Sequence, residues 1–328
     1  MADASGQSSL EPTDSRAVSP YQQEGEEELS LRPQRLTEFI GQKRSIENLR
    51  VFIQASMERR ESREMESAIH ATSAPAIEKS GDLAAILTSL QEGDVLFIDE
   101  IHRMPVQIEE ILYPAMEDRE IDIVIGQGPT ARSIKIVLKP FTLIGATTRP
   151  GLLSSPLTAR FGINLRMEYY NQEDMVAIVR RAAKLMELTV EDTAMAEIAR
   201  RGRSTPRLVL RLLRRIRDFA QVAKEGSITY DRTRYALEML DIDELGLDPM
   251  DIKLLSTIIQ YYKGGPEGLK TLATAVGEDL ATIEEIYEPF LIQTGLLQRT
   301  PRGRVATPRA YEHLDMVSGE SSDSPGLF

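Results

Sequence analysis

The sequence predicts a mixed α/β protein: a parallel-sheet domain, then a helical unit, then a small unit of three helices and a hairpin. Three observations predict it. Four apolar stretches of strand length, AIHATSA (68–74), VLFID (95–99), FTLIGAT (141–147) and INLRMEYY (163–170), recur through the first half. Helical patterns, GDLAAILTSL and PVQIEEILYPAME, separate the first two and follow the second, as expected of strands covered by helices. From Asn171 the periodicity is helical until a turn-bearing segment, LLQRTPRGRVAT, near the end.

Residues 1–30 are polar and acidic, the composition of a disordered tail. From Leu31 the chain changes character. LRPQRLTEFIGQKRSIENLRVFIQASMERR starts extended, because Arg32 precedes Pro33. It turns helical near Gln42, where Ile46, Leu49 and Ile53 share one stripe. With the four strands, it makes a sheet domain over 31–170. Between the second and third strands, IDIVIGQGPTARSIKIVL (121–138) alternates about a GQGP turn, which predicts a hairpin. Residues 171–245 read as helices. Pro206 suits the first turn of the third one, with Ser204 or Thr205 as its cap. Residues 246–316 carry three short helical patterns (PMDIKLLSTIIQYY, LKTLATAV, LATIEEIYEPFLIQ) and the final hairpin, the layout of a winged helix. A second disordered tail fills 317–328.

Composition narrows the function. No run of eighteen apolar residues occurs, so no membrane span is expected. The N-terminus lacks the charged-then-apolar pattern of a secretory signal. Cysteine is absent, which removes disulfides and thiolate metal sites and fits a reducing cytoplasm. The three histidines are scattered. The net charge of −12 argues against nucleic acid until it is placed along the chain. Residues 1–30 hold seven acids and one Arg, and residues 312–328 hold four acids and no base, so the body carries only −2. Residues 200–217 contain eight arginines. They read either as a solvated helix face or as a cluster that holds phosphates or carboxylates.

Several motifs carry chemistry. VLFIDE delivers Asp99 and Glu100 to the carboxyl end of a strand, where open α/β sheets bind ligands. An Asp there can hold Mg²⁺ through water, and the adjacent Glu can orient an attacking water. The plainer reading is a strand ending in two solvated acids. FTLIGATTRP ends a strand in Thr147, Thr148 and Arg149, polar groups suited to a terminal phosphate. SSPLTARFG puts Arg160 on a short loop from which an arginine can reach a neighbouring subunit. Arg207, just inside a helix start, can meet a nucleotide phosphate. Taken singly, Arg160 reads first as a surface residue, and Arg207 reads equally as part of a solvated helix face.

Together these segments resemble one family. LRPQRLTEFIGQ, SAPAIEKSGDLAAILTSL, VLFIDEIHR, IDIVIGQGPTARSIKIVLKPFTLIGATTRPGLLSSPLTARFG and GLLQRTPRGRVAT are similar to RuvB, the bacterial Holliday junction branch-migration motor, over about residues 29–316. The resemblance implies an AAA+ ATPase domain, a small helical lid and a C-terminal winged helix. It implies ATP and Mg²⁺ as cofactors, a cytoplasmic homohexameric ring around duplex DNA, and RuvA as partner in recombination and repair. Asp99 and Glu100 match the Walker B pair, Thr148 the sensor 1, Arg160 the arginine finger and Arg207 the sensor 2. Leu31, Arg32, Phe39 and Ile40 match the segment lining the adenine pocket. The 121–138 hairpin matches the element that docks on RuvA. Arg302 matches the DNA-contacting position on the wing, and Arg299 and Arg304 beside it suit phosphate contacts.

One part of the family pattern is missing. A G-x-x-x-x-G-K-[ST] loop belongs between the first helix and AIHATSA, yet no glycine occurs between Gly41 and Gly81. GGPEGLKT (264–271) has Leu269 where the second Gly should precede Lys270, and IEKSG lacks the glycines. The lost block amounts to a strand of about five residues, a loop of about eight and a helix of about ten, cut between Ser62 and Glu66. That strand is expected at the centre of the family's sheet, so its loss removes a ladder partner on each side. Three readings follow: a RuvB whose sequence has lost a segment, a non-hydrolysing DNA-binding paralogue or ring subunit, and a winged-helix regulator with a vestigial ATPase domain. The last predicts sequence-specific duplex binding. The motor family reads backbone and shape, with strong salt dependence.

Overall fold

A computed structural model describes residues 31–58, 67–125 and 132–316. Both acidic tails, the 62–66 junction and the GQGP turn lie outside the described residues. Lys43–Met167 is one compact unit. The described parts of Met1–Gln42 and Glu168–Phe328 form the other, so residues 31–42 group with the helical half rather than with the sheet.

The first unit contains β1 (Ile69–Ser73), β2 (Val95–Asp99), β3 (Glu120–Ile125), β4 (Arg132–Val137) and β5 (Thr142–Gly145). The parallel sheet has the order β1-β2-β5, with Ile69 opposite Val95 and Ile98 opposite Gly145. Buried Asp94 ties the strand starts together, its carboxylate accepting from the N–H groups of Ala68 and Gln91 and contacting His70. The Gln91 and Ala68 N–H groups hold that carboxyl below its ordinary range. Leu83 and Leu87 of helix Ser80–Ser89 and Leu112 of helix Val106–Glu117 pack with Leu96 and Ile98 in one core. β3 and β4 form the expected antiparallel hairpin, Ile121 opposite Ile136 and Asp122 opposite Lys135.

The fourth expected strand, 163–170, does not form. The segment joins no ladder and exposes Ile163 (44 %) and Met167 (63 %). The physical reason is the lack of a partner. Thr142 and Ala146 direct their N–H groups to the carbonyls of Asp94 and Ile98. Leu143 and Gly145 therefore turn their backbone groups to the other edge of β5, where no described strand pairs. Helix Lys43–Glu58 forms as expected, but Ile53 of its apolar stripe, with Val51 and Phe52, stands exposed.

In the second unit, helices Gln172–Leu185, Asp192–Arg201, Pro206–Val222 and Tyr230–Met239 enclose Val179, Ile198, Leu213 and Ile216. Pro206 opens its helix with Thr205 at the cap position, although no side-chain bond closes that cap. Helices Pro249–Tyr262 and Leu269–Val276 follow. A third helical run starts at Leu280–Thr282, passes through a π-turn at Ile283–Tyr287 and ends in Glu288–Gln293. The hairpin β6 (Leu297–Thr300) and β7 (Gly303–Ala306) and a short helix, Pro308–His313, complete the winged-helix layout around Leu255, Ile258 and Leu291.

The arginine run divides between the two readings. Arg201 is buried, bonding Glu197 and the carbonyls of Ile242 and Asp243. Arg203 pairs with Asp251 at 2.5 Å and with Asp248 at 3.1 Å. Part of the run is thus internal ion-pair structure.

Asp251 is fully buried, and its Oδ1 has no hydrogen-bond partner among the described residues. Burial pushes its carboxyl up to about 7, against the pull of Arg203, from an ordinary 3.8. Between those values the native state holds a proton that the unfolded chain releases. This group's contribution to stability therefore falls as pH rises from about 4 to about 7 and then levels. Melting curves of the protein and of Asp251→Asn should show a difference that shifts against the native side chain between about pH 5 and about pH 7.5. A difference that is flat with pH would refute the raised carboxyl.

Candidate functional site

The carboxyl end of β2 presents the acidic pair. Asp99 is exposed, and its Oδ1 accepts the N–H of Glu100 at 2.9 Å. Glu100 adopts φ 51°, a left-handed conformation that a non-glycine residue holds only when its surroundings impose it. The turn is closed by the Ile101 N–H on the Ala146 carbonyl. Gly145 permits this approach, since a Cβ there would stand 2.9 Å from the Ile101 Cδ1. Thr148 Oγ1 lies 3.4 Å from Glu100 Oε2. His102 Nδ1 lies 3.3 Å from the same oxygen and 2.8 Å from Thr147 Oγ1. The structure thus brings Asp99, Glu100, Thr147 and Thr148 together and adds half-buried His102. Parallel register is what sets Thr147 and Thr148, just past β5, beside Asp99 and Glu100 at the end of β2. Such a cluster orients one carboxylate toward solvent, as a base for a water molecule requires.

Arg160 ends helix Ser155–Arg160 and folds back on its own unit. Its Nη1 donates to the Pro156 carbonyl, its Nε lies 3.1 Å from Glu117, and its guanidinium sits 4.3 Å over the Tyr113 ring.

The second unit holds a cavity of about 330 Å³. Leu31, Arg32, Phe39, Ile40 and Arg207, the five residues expected at a nucleotide, all line it. Arg181 builds its wall, donating to the Leu31 carbonyl at 2.7 Å and to Glu38 at 3.2 Å. The Gln34 N–H on the Glu38 carboxylate, helped by Arg181, keeps that carboxyl below its ordinary range. Tyr170 closes another side, its hydroxyl pushed up by burial. Gly41, at φ 75°, makes room for it: a Cβ there would meet the ring at 2.7 Å. Arg181, Tyr170 and Glu38 escaped the sequence reading, because their role depends on packing across more than a hundred residues of chain.

Leu31, Phe39, Ile40 and Leu210 give this cavity an apolar side. A triphosphate does not fit the residues present. No G-x-x-x-x-G-K-[ST] segment exists to supply its N–H cradle and lysine. One oxygen of Asp99 is also engaged by its own chain. No group of three or more metal-ligating side chains occurs among the described residues.

On the wing, Arg302 is exposed at the β6–β7 turn, and Arg299 lies 3.3 Å from Glu284. Arg304 corrects the expectation of a phosphate contact. It is buried, and its Nε and Nη2 both bond the carboxylate of buried Glu288. The partner explains this: Arg304 lies within β7 against buried Glu288, whereas Arg302 stands in the exposed turn before that strand. On the β3–β4 hairpin, Ile134 and Val137 are exposed. No helix among the described residues is long and apolar enough to cross a membrane.

Comparison with known proteins gives one consistent answer. Residues 62–167 match the family model of the Holliday junction DNA helicase RuvB P-loop domain, residues 170–243 the RuvB AAA lid domain and residues 244–315 the RuvB C-terminal winged helix domain. The solved Thermotoga maritima RuvB Holliday junction branch migration motor is 44 % identical, with a TM-score of 0.79, over 88 % of this chain and 99 % of that one. A point mutant of the same protein is 45 % identical, also with a TM-score of 0.79, over 87 % and 98 %. With all three domain models and these structures in agreement, the chain belongs to the RuvB family of AAA+ Holliday junction DNA helicases.

Proposed function

We propose that this chain is a RuvB-type branch-migration subunit that binds duplex DNA and retains an adenine pocket but does not hydrolyse ATP by itself. The observation that carries this reading is a nucleotide cavity lined by all five expected residues in a chain without a phosphate loop. Leu31, Arg32, Phe39 and Ile40 hold the base and its sugar, and Arg207 meets a phosphate of the nucleotide. Asp99 and Glu100, with Thr148, keep the arrangement that positions Mg²⁺ and water in a complete motor, but here they face no anchored phosphate. Exposed Arg302, with Arg299, touches the DNA backbone. In a homohexameric ring Arg160 leaves Glu117 and Tyr113 to serve a neighbouring subunit. The hairpin over 121–138 takes RuvA, its bare Ile134 and Val137 providing apolar contact. The chain works in the bacterial cytoplasm.

The test is ATP hydrolysis by the purified chain with Mg²⁺ and duplex DNA, beside Glu100→Gln. Duplex binding is expected without turnover above the variant. Turnover that Glu100→Gln abolishes would overturn the reading, since another segment would then be holding the phosphates.

A further inference from the structure

The loop between helices Asp192–Arg201 and Pro206–Val222 grips two parts of its unit at once. On one side it enters the cavity wall through Pro206 and Arg207. The Ser204 carbonyl also accepts the N–H of Tyr170, another lining residue, at 3.4 Å. On the other side the Arg203 side chain reaches into the winged-helix segment. Its Nε donates to the Gly246 carbonyl at 2.7 Å, and its Nη2 contacts Asp251 at 2.5 Å and Asp248 at 3.1 Å. The guanidinium carbon stands 4.9 Å over the Phe290 ring.

The backbone between these grips is held under constraint. Arg203 and Ser204 are consecutive non-glycine residues at φ 52° and 53°. Such a pair persists only when its surroundings over-determine it. Asp248 and Asp251, which anchor the guanidinium, also form the reciprocal cap of helix Pro249–Tyr262. A shift at the start of the Pro206 helix therefore has a direct route to the first winged-helix helix through the Arg203 side chain.

We propose that Arg203 is a positioning residue that couples occupancy of the Leu31–Arg207 cavity to the affinity of the wing for duplex DNA. The inference rests on the functional reading above, in which the cavity takes an adenine nucleotide and the wing takes DNA. A ligand that fixes Pro206 and Arg207 also fixes the Arg203 clamp, and the clamp sets the winged helix. By linkage, DNA must then tighten nucleotide binding by the same factor.

The experiment uses the full chain, ADP and a fluorescein-labelled duplex at fixed salt. Calorimetry gives ADP affinity with and without duplex, and anisotropy gives duplex affinity with and without ADP. We expect a reciprocal change of about fivefold or more. Arg203→Met combined with Asp251→Asn should bring that ratio close to one. The double variant removes both partners, so neither is left as a lone buried charge. Arg203→Lys keeps the charge but loses the fork and the stack, and should retain only part of the ratio. A purely structural role would lower both affinities and leave the ratio intact. Two results overturn the coupling: both ligands bind the native chain independently, or the double variant keeps the full ratio. Failure of ADP or duplex to bind at all is a different outcome. It rejects the functional reading and the inference with it.

Discussion

Inserting the missing strand, G-x-x-x-x-G-K-T loop and helix between Ser62 and Glu66 is expected to give a DNA-stimulated ATPase with turnover well above that of the chain as it stands. The corresponding segment of the Thermotoga maritima protein is a suitable donor. Turnover on the order of 1–10 s⁻¹ would be ordinary for an enzyme, and phosphate release measures it beside the unfilled chain. The carboxylates are already arranged: Glu100, Thr148 and His102 share one cluster at the end of β2. What the site lacks is N–H groups and a lysine for the phosphates. The insertion should also raise the melting temperature. Leu143 and Gly145 would gain ladder partners, and Ile144, Ile163, Val51 and Phe52 would have new structure to pack against. Each large apolar side chain taken fully out of water contributes roughly 1.5–3 kcal/mol. Glu100→Gln in the filled chain should abolish turnover and leave the melt unchanged. A filled chain that melts higher yet releases no phosphate would show that the loop is not the decisive loss.

The second large effect is expected at Arg304. Arg304→Ala strands the Glu288 carboxylate in the core of the winged helix, and breaking a buried pair on one side costs about 3–5 kcal/mol. Arg302→Ala, two residues away and exposed, should stay within about 0.5 kcal/mol in stability. Its effect should fall on DNA instead, lowering the salt dependence of binding by about one counterion. Thermal melts and duplex titrations at several salt concentrations separate the two arginines. Equal melting temperatures would contradict the buried pair.

That contrast shows where sequence reading reaches its limit. The wing was legible from LLQRTPRGRVAT, but three arginines at 299, 302 and 304 look alike on paper. Only the place of the turn before β7 and a glutamate sixteen positions earlier separate Arg304 from Arg302. VLFID was readable to the residue, because a four-residue apolar run that ends in an aspartate and is bounded by turns has few alternatives. INLRMEYY was not, since a strand needs a neighbour and its own residues cannot say that the neighbour is missing. The cavity was half legible. Leu31 to Ile40 and Arg207 came from family resemblance, whereas Arg181 and Tyr170 emerge only when distant segments pack. His102 had a signal in the IHR that follows Asp99-Glu100, yet its role needed the parallel register that sets Thr147 beside it.

The open edge of β5 also bears on how long such a molecule survives. A three-stranded sheet with one bare side opens at lower free energy than the rest of the chain, and protease attack follows the population of open states. Cleavage should therefore begin within Lys43–Met167. The piece left behind is a lid joined to a winged helix, each with its own core. Degradation would thus leave a small DNA-binding remnant before it leaves nothing.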